Sequence, residues 1–236
     1  LRHKEPWAHH ALAHVMLTQG RIREGIDFMA SVSDTWTGLN SFMVTHNWWH
    51  QALFLLEQDR HAEVLALYDG PIRGERSTVI MDMIDASAML WRLHLRGIDV
   101  GTRWQQLAED WAPFAAAGNY AFNDVHATMA FVGAGRLDLV DTVLETQRAA
   151  MQGEADNAAF TREVGQPLTR AIRAFGQRRQ GQGVGAGMGT ELATQQQVRF
   201  AAGGHGRAHV VERITHRADV GQAHAVALGD LLQQTG

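Results

Sequence analysis

The sequence predicts an all-α protein built as a superhelical stack of helix-turn-helix repeats, and three observations support this fold class. A helix-ending turn followed by a new amphipathic segment recurs at intervals of 39, 38, 38 and 41 residues. An apolar-rich segment long enough for a helix precedes each of the first four turns. The alternation of apolar and polar residues that is typical of β-strands is missing. Each hairpin must therefore bury its apolar face against its neighbours, as in an α-solenoid.

The turns and the apolar segments define the units in order along the chain. The turns lie at Gly20-Arg21, Asp59-Arg60, Gly97, Gly135-Arg136 and Gly176. The first helices of the units are predicted over residues 7–19, 42–58, 79–96 and 120–134. A second helix follows each turn, and a fifth unit is predicted to begin at Ala158. The period suits a helical hairpin plus its linker, so the stack is predicted to be tetratricopeptide-like.

The composition changes near residue 180 and divides the chain in two. All 7 Trp residues lie before that point, whereas 11 of the 56 residues in 181–236 are Gly. Residues 1–180 are therefore predicted to form the repeat domain, and residues 181–236 a Gly-rich, loosely structured or divergent tail. Short helices are predicted there at 191–198 and 220–234.

The chain starts without an initiator Met or a signal-peptide pattern, so we expect a fragment of a longer protein.

Composition and charge exclude several classes of function. The chain has 21 Lys and Arg against 25 Asp and Glu, a net charge of −4, which is not the charge of a nucleic-acid-binding protein. No apolar run is long enough to span a membrane. The absence of Cys excludes disulfides and thiolate metal sites. The Gly-rich run 181–189 matches no nucleotide-binding motif, so no cofactor is assigned. We expect a soluble, cytoplasmic protein.

Histidines in the predicted first helices are the main candidate functional residues. Nine of the 13 His lie in residues 1–180. His10 and His14 are four residues apart, as are His46 and His50, so each pair projects from one face of its helix. First helices line the concave surface of tetratricopeptide stacks, so both pairs are expected to face one groove. The groove candidates are His10, His14, His46, Asn47, His50, Asp85, Asp124 and His126.

Three roles are open for these histidines. They could chelate a divalent metal ion, with His46 and His50 as ligands and Asp85 or Asp124 completing the shell. One of them could act as a general acid or base without metal. They could instead be hydrogen-bonding residues that fix neighbouring helices. The spacing lacks the Glu of the zinc-hydrolase motif His-Glu-x-x-His, and the structural role is favoured.

The same residues resemble the tetratricopeptide repeat protein 38 family over residues 6 to 180. The matching segments are His46-Asn47-Trp48-Trp49-His50-Gln51-Ala52-Leu53 with Tyr68-Asp69, His10-Ala11-Leu12-Ala13-His14-Val15 with Gly20-Arg21, Asp85-Ala86-Ser87-Ala88-Met89-Leu90-Trp91-Arg92-Leu93, and Asp124-Val125-His126-Ala127-Thr128-Met129-Ala130. Leu17 stands where the family has Glu, and the family's final Gly-Ser-His-Ala-Gln-Arg-Asp block does not occur in 181–236. The resemblance implies a helical-repeat fold and no established reaction.

These observations favour a protein-binding or scaffold module. Its His-rich concave groove would accept a peptide or protein segment, or a small molecule, and neither nucleic acid nor a membrane. The alternative is a metal-dependent or His-based hydrolase that uses the same groove residues. A third hypothesis is a truncated or frameshifted chain without an activity of its own.

Overall fold

The computed structural model describes residues 5–36, 38–39 and 42–182, which form helices and turns without a β-strand. This confirms the all-α class. The helices are α1 (Pro6–Thr18), α2 (Ile22–Val32), α3 (Phe42–Leu56), α4 (His61–Leu67), α5 (Ile80–Leu95), α6 (Arg103–Trp111), α7 (Ala121–Gly133), α8 (Leu137–Ala150), α9 (Asp156–Phe160) and α10 (Gln166–Gln182). The helices predicted at 191–198 and 220–234, like the predicted tail beyond residue 182, lie outside the described residues. Within the described residues, no helix combines the length and the apolar character needed to cross a membrane.

Four of the predicted turns end their helices with the same backbone geometry. Gly20, Asp59, Gly97 and Gly135 have φ values of 69°, 54°, 75° and 75°, in the left-handed region that favours glycine. In each turn, the next residue donates its N–H to the carbonyl five positions earlier, as Arg21 does to Met16 at 2.9 Å and Arg136 to Phe131 at 2.8 Å. This is the Schellman arrangement, and it stops each first helix at the same point of its unit.

The fifth predicted turn, at Gly176, is wrong, because this residue lies inside α10. A Cβ atom at Gly176 would lie 2.4 Å from Cγ1 of Val132 on α7. The glycine therefore allows two helices to approach closely and does not end a helix. The helix predicted to start the fifth unit, α9, begins at Asp156, two residues before the predicted Ala158, and a π-helical turn, Thr161–Gly165, joins α9 to α10.

The helix contacts follow one rule along the chain. Each of α1, α3, α5 and α7 packs against the helix that follows it, and each also packs against the next of the four. Helix α7 then packs against α10. We call α1, α3, α5 and α7 the first-helix row. The connections between a row helix and its follower are only three to seven residues long, which is typical of antiparallel neighbours.

The hydrophobic core has two parts. Its larger part is built on α3 to α8 around fully buried side chains such as Met83, Met89 and Phe131. A smaller cluster between α1, α2 and α3 includes Trp36 and Phe54. Because the row helices contact followers and one another, even their polar side chains are largely enclosed.

The repeated turns give a direct stability test. We expect Gly135→Ala to lower the free energy of unfolding by about 1 kcal/mol, because a side chain is disfavoured at positive φ. Asp59→Gly should raise it by up to about 1 kcal/mol for the same reason. Urea denaturation followed by circular dichroism measures both changes. Asp59→Asn is the control, since Asn tolerates this conformation, and an unchanged Gly135→Ala midpoint would contradict the assignment.

Candidate functional site

Four histidine rings converge where α1 packs against α3. The ring centroids of His10 and His14 lie 4.4 Å apart, and those of His46 and His50 lie 4.8 Å apart. Between the helices, His50 lies 4.8 Å from His10 and 4.5 Å from His14, and His46 lies 4.9 Å from His10. We call these four residues the imidazole cluster. The two pairs predicted from their spacing thus face each other.

Three of the rings place nitrogen atoms close enough to share an ion. The Nε2 atoms of His10 and His14 are 2.8 Å apart, so one ring donates its proton to the other. One nitrogen from each of His10, His14 and His50 lies within 4.8 Å of the other two. A tetrahedral Zn²⁺ ion with bonds of about 2.0–2.1 Å holds its nitrogens roughly 3.4 Å apart. The three nitrogens are therefore within about 1.5 Å of the spacing that a shared ion requires.

Asp85 on α5 forms a hydrogen bond with His46, the fourth ring of the imidazole cluster. Its Oδ2 lies 2.6 Å from Nδ1 of His46, and the two side chains are 2% and 1% exposed. A carboxylate accepts hydrogen bonds, so in the neutral tautomer that fits this contact Nδ1 of His46 has the proton and Nε2 has the lone pair. The backbone carbonyl of Asp85 also accepts a hydrogen bond from Nε1 of Trp49 at 2.8 Å. A carboxylate behind an imidazole is the usual support of a metal-binding histidine.

The electrostatic environment keeps the two partly exposed rings neutral. Burial, together with smaller contributions from charge on His46 and His14, lowers the pKa of His10 to about 3. Burial also lowers the pKa of His14, again with a contribution from His46. Both imidazoles are therefore unprotonated at neutral pH. Neutral imidazole is the form that binds metal ions.

The polar groups continue along the row into α5 and α7. Nδ1 of His126 donates to the carbonyl of Phe122 at 2.8 Å. Burial lowers the pKa of His126 to about 4, although the hydrogen bond to Phe122 raises it; the charge of Arg92 lowers it and that of Asp85 raises it by smaller amounts. The guanidinium carbon of Arg92 lies 5.3 Å from the ring centroid of Trp49. The Trp49 ring in turn contacts His46 and His50 at centroid distances of 5.3 Å.

Arg92 is the residue of this site that sequence reasoning missed. It interrupts the most apolar stretch of the chain, residues 88–95. An arginine is rarely buried without a partner, so a cation at this place in a core helix was the available signal.

Two predicted groove residues need correction, Asn47 and Asp124. Asn47 is 0% exposed, and its Nδ2 donates to the carbonyl of Pro6 at 3.0 Å, so it fixes the start of α1 against α3. Asp124 accepts a hydrogen bond from Nε2 of Gln147 on α8 at 3.2 Å. Asp124 lies about 200° around α7 from His126, so the two residues are on different sides of the helix.

The candidate residues are more deeply buried than the lining of a concave groove would be. His46, Asn47, His50, Asp85, Asp124 and His126 are all buried, and only His10 and His14 of the eight candidates are partly exposed. A ligand from solvent therefore meets the site first at α1.

Asp124 instead borders a separate cleft of about 160 Å³ whose walls include Trp111, Phe114 and Tyr120. Burial raises the pKa of Asp124 to about 6, and the hydrogen bond from Gln147 only partly opposes this. The carboxylate is thus held charged at neutral pH in surroundings that favour its neutral form.

The chain matches no protein-family model, and no solved structure matches it. Function is therefore inferred from the site itself.

The raised pKa of Asp124 predicts a stabilising substitution. A carboxyl group whose pKa is higher in the folded state contributes stability below the unfolded pKa, near 3.9, and loses it as pH rises through about 6. Asn cannot ionise and still accepts the bond from Gln147. We expect Asp124→Asn to raise the free energy of unfolding by about 1–2 kcal/mol at pH 8, after discounting for partial exposure.

Urea denaturation at several pH values checks this prediction. The gain over the wild type should grow between pH 4 and pH 7 and then stay constant. Asp138→Asn, at an exposed aspartate on α8, serves as the control for charge alone. A gain that is the same at pH 4 and pH 8 would show that burial of the Asp124 charge is not its cause.

Proposed function

We propose that this protein is a tetratricopeptide-like helical-repeat protein whose first-helix row binds a divalent transition metal ion. The repeat stack is supported by turns spaced 39, 38 and 38 residues apart with the same geometry. An ion pair also recurs after three of these turns. The pairs are Arg21 with Glu24 at 2.6 Å, Arg60 with Glu63 at 2.5 Å and Arg136 with Asp138 at 2.7 Å.

The observation that supports metal binding is the convergence of His10, His14 and His50 from two helices. Histidines that only fix helices are expected to bond to separate groups on neighbouring elements. Here His10 bonds to His14, and the rings of the cluster contact one another. Three imidazoles without a thiolate suit Zn²⁺, Co²⁺, Ni²⁺ or Cu²⁺ and are poor ligands for Mg²⁺ or Ca²⁺.

The fourth coordination position distinguishes two uses of the metal ion. If His46 fills it, the shell is closed and the ion joins the first two hairpins. If water fills it, the site has the three-ligand form of catalytic zinc centres, which is the hydrolase alternative. His46→Ala separates the two, because it weakens metal binding strongly only when His46 is a ligand.

Binding of a peptide or protein segment, or of a small molecule, is a second candidate function. It is favoured by Trp7 on α1, which is 46% exposed and lies 6.3 Å from the ring of His10. A large exposed aromatic beside a polar site is typical of binding surfaces. Metal-independent binding of a defined peptide that Trp7→Ser abolishes would favour this function over the metal site.

The metal site predicts a measurable affinity in protein purified without a His tag. Titration with Co²⁺ should produce the visible absorption of a tetrahedral site, and Zn²⁺ should displace Co²⁺ at one ion per chain. We expect His50→Ala to weaken Co²⁺ binding by more than about 100-fold, because it removes the only one of the three proposed ligands that α3 supplies.

His61→Ala is the matched control for the loss of one imidazole. His61 lies on α4, where its Nε2 faces Asp59 at 3.5 Å, outside the imidazole cluster. Its variant should bind Co²⁺ like the wild type. Equal Co²⁺ affinities of the His50→Ala and His61→Ala proteins, or no Co²⁺ binding by the wild type, would refute the proposed site.

A further inference from the structure

The first-helix row contains an arginine whose charge has no carboxylate partner among the described residues. Four described arginines are at least partly buried: Arg73, Arg92, Arg103 and Arg173. Three of them pair with Asp110, Asp69 and Asp141. No carboxylate in the described part of the chain lies within ion-pair distance of Arg92. An enclosed charge without a counter-ion is costly, so a partner is expected.

The contacts of Arg92 leave most of its hydrogen-bonding capacity for other acceptors. Nη1 donates to the carbonyl of Ala88 at 2.9 Å, one turn earlier on α5. The planar group lies over the Trp49 ring at 5.3 Å, which holds it in place without neutralising it. A guanidinium has five N–H donors in a rigid fork that matches carboxylate and phosphate oxygens.

The nearby acidic groups do not compensate this charge. Glu57 and Asp85 both act on the charge state of Arg92. Glu57 pairs with Arg96 at 2.9 Å. Asp85 is on the same helix as Arg92. Its Oδ2, however, is bonded to His46 at 2.6 Å. With the ring of His126 neutral and a divalent ion in the imidazole cluster, the site has two positive groups and one negative group. Such a site attracts anions.

The position of Arg92 relates it to the imidazole cluster. The centroid of the Trp49 ring lies 5.3 Å from the guanidinium carbon of Arg92. It also lies 5.3 Å from the ring centroids of His46 and His50. The guanidinium is therefore one aromatic ring away from the proposed metal ligands. Part of the Arg92 side chain is exposed to solvent.

We infer that the ligand of the first-helix row is a small oxyanion, a carboxylate or phosphate compound, and that Arg92 binds its anionic group. This inference rests on the proposed function, since the metal ion is the second positive group of the same site. It specifies the chemical class of the ligand that the metal site takes.

The test uses two probes, malonate for a carboxylate ligand and inorganic phosphate for a phosphate ligand. Each is titrated into Zn²⁺-loaded and metal-free protein at constant ionic strength set with chloride, with calorimetry or tryptophan fluorescence as the readout. Binding of either probe by the loaded wild type is expected, and the tighter probe identifies the class. We expect Arg92→Met to weaken binding by at least about tenfold and Arg92→Lys to be intermediate.

Control variants separate the role of Arg92 from a loss of structure. Arg173→Met removes another partly buried arginine, on α10, and should leave anion binding unchanged. Arg92→Met should keep the wild-type Co²⁺ affinity and helical circular dichroism. If Arg92→Met does not fold, Arg92→Lys decides, since loss of the fork should still weaken binding severalfold.

The outcomes distinguish this inference from the proposed function. Equal anion affinities of the wild type, Arg92→Met and Arg92→Lys overturn the inference, as does a failure of the loaded wild type to bind either probe. Anion binding that depends on Arg92 in a protein that binds no Co²⁺ would overturn the proposed metal site and leave Arg92 as an anion-binding residue.

Discussion

The packing of α1 against α3 is the contact on which the site depends. It places two histidine pairs, each spaced one helical turn apart, directly opposite each other. Buried imidazoles and carboxylates must form hydrogen bonds with one another, because each buried polar group without a hydrogen bond costs about 1–3 kcal/mol of stability. Apolar side chains at these positions would pack without this loss of stability. The bond between His46 and Asp85 extends the same constraint to α5, so three helices of the row are fixed by polar contacts.

The sequence predicted the helices and turns well because their signals are local. Gly20, Gly97 and Gly135 allow the left-handed turn, and Asp59 is a residue that tolerates it. The predicted first helices agree with α1, α3, α5 and α7 to within two residues at either end. Gly176 was misassigned because a glycine that ends a helix and one that admits a neighbouring helix look alike in sequence.

The candidate site was predictable only in part. Helical spacing indicates that His10 and His14 share a face, as do His46 and His50, but not how deeply the rings are buried. Asn47 is next to His46 in sequence, yet its amide bonds to Pro6, and no local pattern encodes that distant contact. Asp124 and His126 are two residues apart but lie on different sides of α7, where Asp124 bonds to Gln147 and His126 to the carbonyl of Phe122. The role of Arg92 depends on the Trp49 ring, which belongs to another hairpin.

The imidazole cluster belongs to a pair of hairpins, since α1 is in the first and α3 in the second. Copying either hairpin alone would reproduce a turn, an ion pair and one histidine pair, but not the facing pair that completes the cluster. The site therefore requires the first two hairpins in this order, and a rearranged chain could retain its helical fold while losing the site.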